Sequence, residues 1–202
     1  MASVAGEAVS KLRTISTPAR EVARWYEQHP DAMYLPVELE VLRGQKLISS
    51  DQVSAIVFTG PPPNSNHTQR GAGWCRKHGI EEHIPYDPQQ KNAPRFLFAD
   101  IERVIISMLP ANFPLADQKN NLKYSEVLCL TRLNELAEAW GTYRGVIVLP
   151  DTGYIQNQLS GTRTTHSIFD RFGCCELDGS PMQITTHQFR HFLNTVAQMG
   201  GL

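Results

Sequence analysis

The chain is short of what would place it outside the reducing cell interior. Its 202 residues hold four cysteines, Cys75, Cys129, Cys174 and Cys175. One adjacent pair and two distant singles do not make the even, spaced framework of a secreted disulfide scaffold. No apolar run nears the roughly 20 residues that cross a bilayer, and the stretch from Met1 to Ser16 has no apolar core of the signal-peptide kind. Excess charge is absent too: the formal net charge is −1. That balance neither requires nor excludes nucleic acid, because DNA binding needs a local basic face, not a basic total. There is no internal repeat and no low-complexity tract. These absences point to an ordinary soluble chain, expected in the cytoplasm without a membrane partner, and long enough to bury a core without staples.

Helical signals dominate. Thr17-Pro18 reads as a helix start, with Thr17 as cap and Pro18 at the first turn, and Val22, Trp25 and Tyr26 form the apolar edge. A short helix is expected after Pro36 and stops at Gly44. Ser49 to Gln52 has the form of a capping box before the apolar run Val53–Phe58. Gly60 to Asn66 breaks the chain, and a further helix carries Trp74, Cys75 and the basic residues to Gly79. Residues 84–94, rich in proline and glutamine, read as a linker. They suggest an N-terminal helical region over 1–92 and a second region over 93–202. In the latter, Asp100 reads as an N-cap before Ile101, Val104, Ile105, Met108 and Leu109, an amphipathic pattern. Ser125 starts an expected helix through Leu128, Leu133, Leu136, Ala137 and Trp140. Val146–Leu149 reads as a strand or a buried extended piece, and helices are expected over 152–160 and 163–172. Asp178-Gly179 is the strongest hairpin-turn signal. The expected fold is mainly α with a small β-hairpin.

The last helix separates into two faces. Thr185 and Gln188 offer a capping box. Phe189, Phe192, Leu193, Val196 and Ala197 fall on one stripe. His187, Arg190, His191 and Asn194 fall on the other, since i, i+3, i+4 and i+7 are neighbours. An imidazole, a guanidinium and a second imidazole near a helix N-terminus suit a phosphate. Free N–H groups and the dipole favour an anion, the guanidinium can grip two oxygens, and an imidazole can donate or shuttle a proton near neutral pH. The same spacing also describes a plain solvated helix face.

Weight comes from the wider segment. Ile184 to Gly201, with its threonines, H-x-x-R at His187 and Arg190, the following His191 and the closing glycines, resembles the active-site helix of the tyrosine recombinases, the phage-type integrases. The likeness is densest over 165–202, taking in Ser167–Gly173 and Asp178–Pro181, and extends back to about 96 through Leu122–Glu126. It implies a partial recombinase catalytic domain over 93–202, preceded by a small helical region. It implies that His187 and Arg190 help hold a scissile phosphate, with His191 as the family's next histidine. Double-stranded DNA and other recombinase protomers would be the partners, and no cofactor or metal is implied. In that family a downstream tyrosine attacks the phosphate. The sequence stops at Leu202 before one is reached, so the resemblance implies part of a recombinase site that is catalytically incomplete as written. Arg132 to Glu135 mimics the R-x-x-E around the family's first catalytic arginine. Its gap to His187 is short for that role, and an Arg/Glu pair on a helix surface is the preferred reading. The family's hairpin lysine has no counterpart, since no lysine follows Lys123.

Two further patterns remain. Leu47–Ile56, followed by Trp74–Ile80, loosely resembles an excisionase-type helix-turn-helix, in which Arg70, Arg76 and Lys77 would meet phosphates. A plain helical pair with a long loop is the competing reading. Cys75-x-x-His78-x4-His83 has partial metal-ligand spacing but lacks the fourth ligand that structural zinc takes. A buried cysteine with two surface histidines is preferred, and Cys174 and Cys175 are expected in the core or the hairpin. A non-catalytic helical DNA-binding or protein-interaction module is the alternative function.

Overall fold

The computed structural model describes residues 2–60, 67–84, 93–137, 140–162, 166–185, 187–188, 190–191 and 194–195. They fall into two compact units, Leu12–Leu149 and a smaller one built from Met1–Lys11 with Pro150–Leu202. The architecture is helical with small two-stranded antiparallel sheets.

Helix α1 (Ala2–Ile15) belongs to the smaller unit as far as Lys11; in the larger unit α2 (Thr17–Gln28) has Pro18 in its first turn as expected, while Ser16, not Thr17, holds the N-cap position. Proline costs nothing there because that N–H has no intrahelical partner. Ala19, Val22, Ala23 and Tyr26 are its buried face. They pack with Tyr124, Leu130 and Ile147. Pro36 then leads into a 3₁₀ helix, Val37–Gly44.

The strand β1 (Leu47–Ser49) runs directly into α3 (Ser50–Val57). Ser49 caps it through the expected box: its Oγ accepts from Gln52 N, and the Gln52 side chain accepts from Ser49 N at 2.7 Å. Ser49→Ala is expected to cost about 1 kcal/mol by chemical denaturation, the usual worth of such a cap. Against α3 packs α4 (His67–Lys77), ended by Gly79 with φ +67°. Gly71 makes the crossing possible. A Cβ there would lie 2.0 Å from the Ser50 carbonyl oxygen and 2.8 Å from Ser54 Oγ. Ser50 Oγ also accepts a 2.9 Å hydrogen bond from Ala72 N.

The stretch expected to separate two regions lies inside this unit. Strand β2 (Arg95–Leu97) pairs antiparallel with β1, Ile48 opposite Phe96, and both of those side chains are fully buried. The backbones of His83 and Arg95 exchange two hydrogen bonds of 2.8 Å. Residues before and after 84–94 therefore share one core, with Val53, Ile56, Trp74 and Cys75 meeting Ile101, Ile105 and Tyr143. The 1–92 and 93–202 division does not follow the contacts, because a linker's composition says nothing about whether its two ends are paired.

From β2 the chain passes into α5 (Phe98–Ser107). Leu97, not Asp100, occupies its N-cap position, and Asp100 sits in the first turn paired with Arg103. A hairpin of β3 (Leu115–Asp117) and β4 (Leu122–Lys123) follows. The helix expected from Ser125 is a single 3₁₀ turn, Tyr124–Glu126, followed by strand β5 (Thr131–Arg132). β5 pairs with β6 (Ile147–Val148), the extended piece expected at 146–149.

The smaller unit carries α6 (Thr152–Ser160), at the expected position with Asp151 as its cap, and α7 (Ile168–Arg171), capped by Ser167 and shorter than the expected 163–172. Among the described residues, no helix is long and apolar enough to cross a membrane.

Candidate functional site

The segment after α7 builds the candidate phosphate face. Its approach is a tight hairpin, with a lone antiparallel bridge joining Cys175 to Pro181. Gly179 turns at φ +81°, and Asp178 Oδ1 accepts from Ser180 N at 2.9 Å. This is the turn signalled by Asp178-Gly179. The next element is opened by the expected capping pair. Gln188 N donates to Thr185 Oγ1 at 3.2 Å, and Gln188 Oε1 accepts from Thr185 N at 2.9 Å. Residues 187, 188, 190, 191, 194 and 195 are helical.

His187, Arg190, His191 and Asn194 are all exposed. The two imidazoles meet edge to face with ring centres 4.4 Å apart and Nε2 atoms 3.0 Å apart. A hydrogen bond between two ring nitrogens needs one donor and one acceptor, so at least one ring presents an unprotonated Nε2. A phosphate oxygen arriving here would compete for those same two positions. Among the described residues Arg190 forms no ion pair, and its guanidinium faces solvent without a competing carboxylate. The apolar stripe Phe189, Phe192, Leu193, Val196 and Ala197 lies outside the described residues.

The basic residues of α4 part company. Arg70 is engaged within the unit: its guanidinium lies 3.6 Å over the Phe58 ring, and Nη1 donates to Gly60 O at 3.1 Å. A Cβ on Gly141 would fall 1.1 Å from Nη2, and partial burial lowers the pKa of this arginine. Arg76 and Lys77 are exposed, with Arg76 Nε 3.9 Å from Glu82. The three cations therefore do not present one free basic surface. A helical turn also sets Arg70 well away in angle from Arg76, six positions on.

Arg132 and Glu135 form the preferred pair, but not on a helix. Arg132 stands on β5, its Nη2 2.5 Å from Glu135 Oε1, and its backbone N donates to Glu135 Oε2 at 2.8 Å. Both side chains are largely buried. The carboxylate thus occupies the guanidinium and the strand end together, an arrangement that explains this arginine without a substrate.

Cys75 is fully buried, and burial pushes its thiol up to about 12, with Glu82 adding to the shift. His78 leans on Trp74, ring centres 4.6 Å apart. Among the described residues no three His, Cys, Asp or Glu side chains are grouped to hold a metal. Cys174 and Cys175 stand on the hairpin and are exposed, not in the core. Sequence reasoning had no signal for that exposure, because cysteine is among the most buried residue types.

No protein-family model, no curated protein and no solved structure matches this chain.

Proposed function

We propose that the chain binds double-stranded DNA through a phosphate-gripping face formed by His187, Arg190 and His191, as part of a tyrosine-recombinase-type domain acting in the cytoplasm. The single observation behind this reading is the exposed cluster that the Thr185–Gln188 cap opens, with two imidazoles and an arginine free of carboxylate partners among the described residues. The sequence likeness over 165–202 agrees with it. The physical role is charge complementarity. Arg190 supplies paired N–H donors to non-bridging oxygens. The imidazole pair supplies a further N–H donor. The reading concerns binding and phosphate positioning, not strand cleavage.

Fluorescence anisotropy with a labelled duplex at low and moderate salt tests it. Affinity is expected to fall with salt, since each neutralised phosphate releases counterions. Arg190→Ala is expected to weaken binding about 10-fold or more and to reduce the salt slope by about 1. Absence of binding at low salt, or an Arg190→Ala variant that binds like the parent, would falsify the assignment. Binding lost instead in Arg76→Ala with Lys77→Ala would move the interface to α4 and favour a plain helical DNA-binding module.

A further inference from the structure

The smaller unit carries a second reactive cluster that the DNA reading does not use. Cys174 and Cys175 are adjacent, unpaired and exposed. Both line one open surface depression, together with His166, Asp170, Pro181 and Gln183. The frame around them is fixed by short-range bonds. Ser167 caps α7, Cys174 N donates to Phe169 O at 2.8 Å, and the Cys175–Pro181 bridge closes the hairpin.

We infer that Cys174 and Cys175 form a bidentate dithiol site for soft, thiophilic centres, with trivalent organoarsenicals as the ligand class. Three physical points lead there. First, the pair is poorly built to close on itself. Neighbouring Cα atoms are about 3.8 Å apart, below the roughly 4.4–6.8 Å spanned by ordinary disulfides. A bridging atom between the two sulfurs relaxes that constraint. Second, the surroundings do not supply a hard or four-coordinate site. Asp170 Oδ2 is engaged by Ser167, accepting from its N and its Oγ at 2.9 Å each. Among the described residues no three donors group for a metal. Two sulfurs alone suit a centre that needs two soft ligands. Third, the depression is open to solvent, so the carbon substituent on arsenic has room.

The step balances without an oxidant. An arsonous acid, R–As(OH)₂, meets two thiols; two As–S bonds form and two As–O bonds break. Each thiol proton leaves with a hydroxide as water, and arsenic stays trivalent throughout.

Phenylarsine oxide, which hydrates to such an acid, is the probe. The full chain is incubated with it in excess monothiol and read by intact mass and peptide mapping. One arsenical per chain is expected, bridging Cys174 and Cys175, resistant to monothiol and released by a 1,2-dithiol. Cys174→Ser and Cys175→Ser should each lose retention by about 100-fold or more, because the second As–S bond is intramolecular and carries the chelate advantage. Both positions are exposed, so these variants should keep the parent circular dichroism. Retention unchanged in either variant, or an adduct mapped to Cys75 or Cys129, overturns the inference.

Discussion

Gly71→Ala is expected to destabilise the Leu12–Leu149 unit by about 3 kcal/mol or more, the upper end of what one added methyl does in a packed interior. The obstacle is backbone. The new Cβ would sit 2.0 Å from the Ser50 carbonyl oxygen, and no rotamer change relieves that contact. Helices α3 and α4 would have to part, drawing Ser50 Oγ away from Ala72 N and opening the layer that holds Val53, Ile56 and Trp74. Intrinsic helix propensity works the other way, favouring alanine by about 1 kcal/mol, so the clash must first overcome that gain. Gly73, two residues on in the same helix, supplies the control. A Cβ there meets nothing within 4 Å. Gly73→Ala is therefore expected to stabilise by roughly 0.5–1 kcal/mol. Opposite signs for the two variants in one urea titration would establish the close crossing. A Gly71→Ala variant as stable as Gly73→Ala would mean that the helices do not meet as described.

Gly71 also marks what the sequence could and could not convey. Signals confined to three or four residues were legible: the boxes at Ser49–Gln52 and Thr185–Gln188, the proline at the start of α2, the turn at Asp178-Gly179. In the boxes and the turn a side chain reaches its own backbone, and the proline needs only its fixed φ and missing N–H, so no distant partner is needed. Contacts set by distant segments were not legible. β1 and β2 are three residues each and pair across more than 40 positions, too short for a period-2 pattern to show. The helix expected from Ser125 failed for the same reason. Leu128, Leu136 and Trp140 have helical spacing, yet they are exposed, while Leu130 and Thr131 are buried. Asn134 adopts φ +63°, and Leu133 pairs its backbone with Val146 and Tyr143. Pairing with β6 outweighs local propensity there. The candidate site divides likewise: exposure of His187, Arg190 and His191 agrees with their helical spacing, whereas capture of Arg70 by Phe58 and Gly60 depends on a loop fold that composition does not encode.

Raising the pH from 9 to 12 is expected to remove a large part of the larger unit's stability, through two buried acids. Burial pushes both the Cys75 thiol and the Tyr26 phenol up to about 12. Their ordinary values, which the unfolded chain would show, are 9.0 and 10.0. Between those limits the unfolded state has released its protons and the folded state still holds them. Stability therefore falls as pH rises; the contribution is whole below pH 9 and gone above about 12. At about 1.4 kcal/mol per pH unit the two windows, three units for the thiol and two for the phenol, sum to an effect on the order of 7 kcal/mol, against a typical domain stability of about 5–15 kcal/mol. Tyr143, also raised by burial, acts in the same direction. The structural cause at Tyr26 is specific. Its hydroxyl donates to Gly145 O at 2.9 Å and accepts from Tyr34 N at 3.2 Å. A phenolate could keep the second bond but not the first, and would face the Gly145 carbonyl dipole in a dry setting. Tyr26→Phe separates the two contributions. At pH 8 it should be less stable than the parent by about 1–3 kcal/mol, because a buried carbonyl and a backbone N–H lose their partner. Above pH 10 it should lose stability more slowly, having no phenol to ionise, so that the two stability curves converge. Denaturant midpoints taken at intervals from pH 8 to 11.5 would reveal this. Parallel curves above pH 10 would mean that Tyr26 ionises in the folded chain as readily as in water, and that its place between Gly145 and Tyr34 is not closed to solvent.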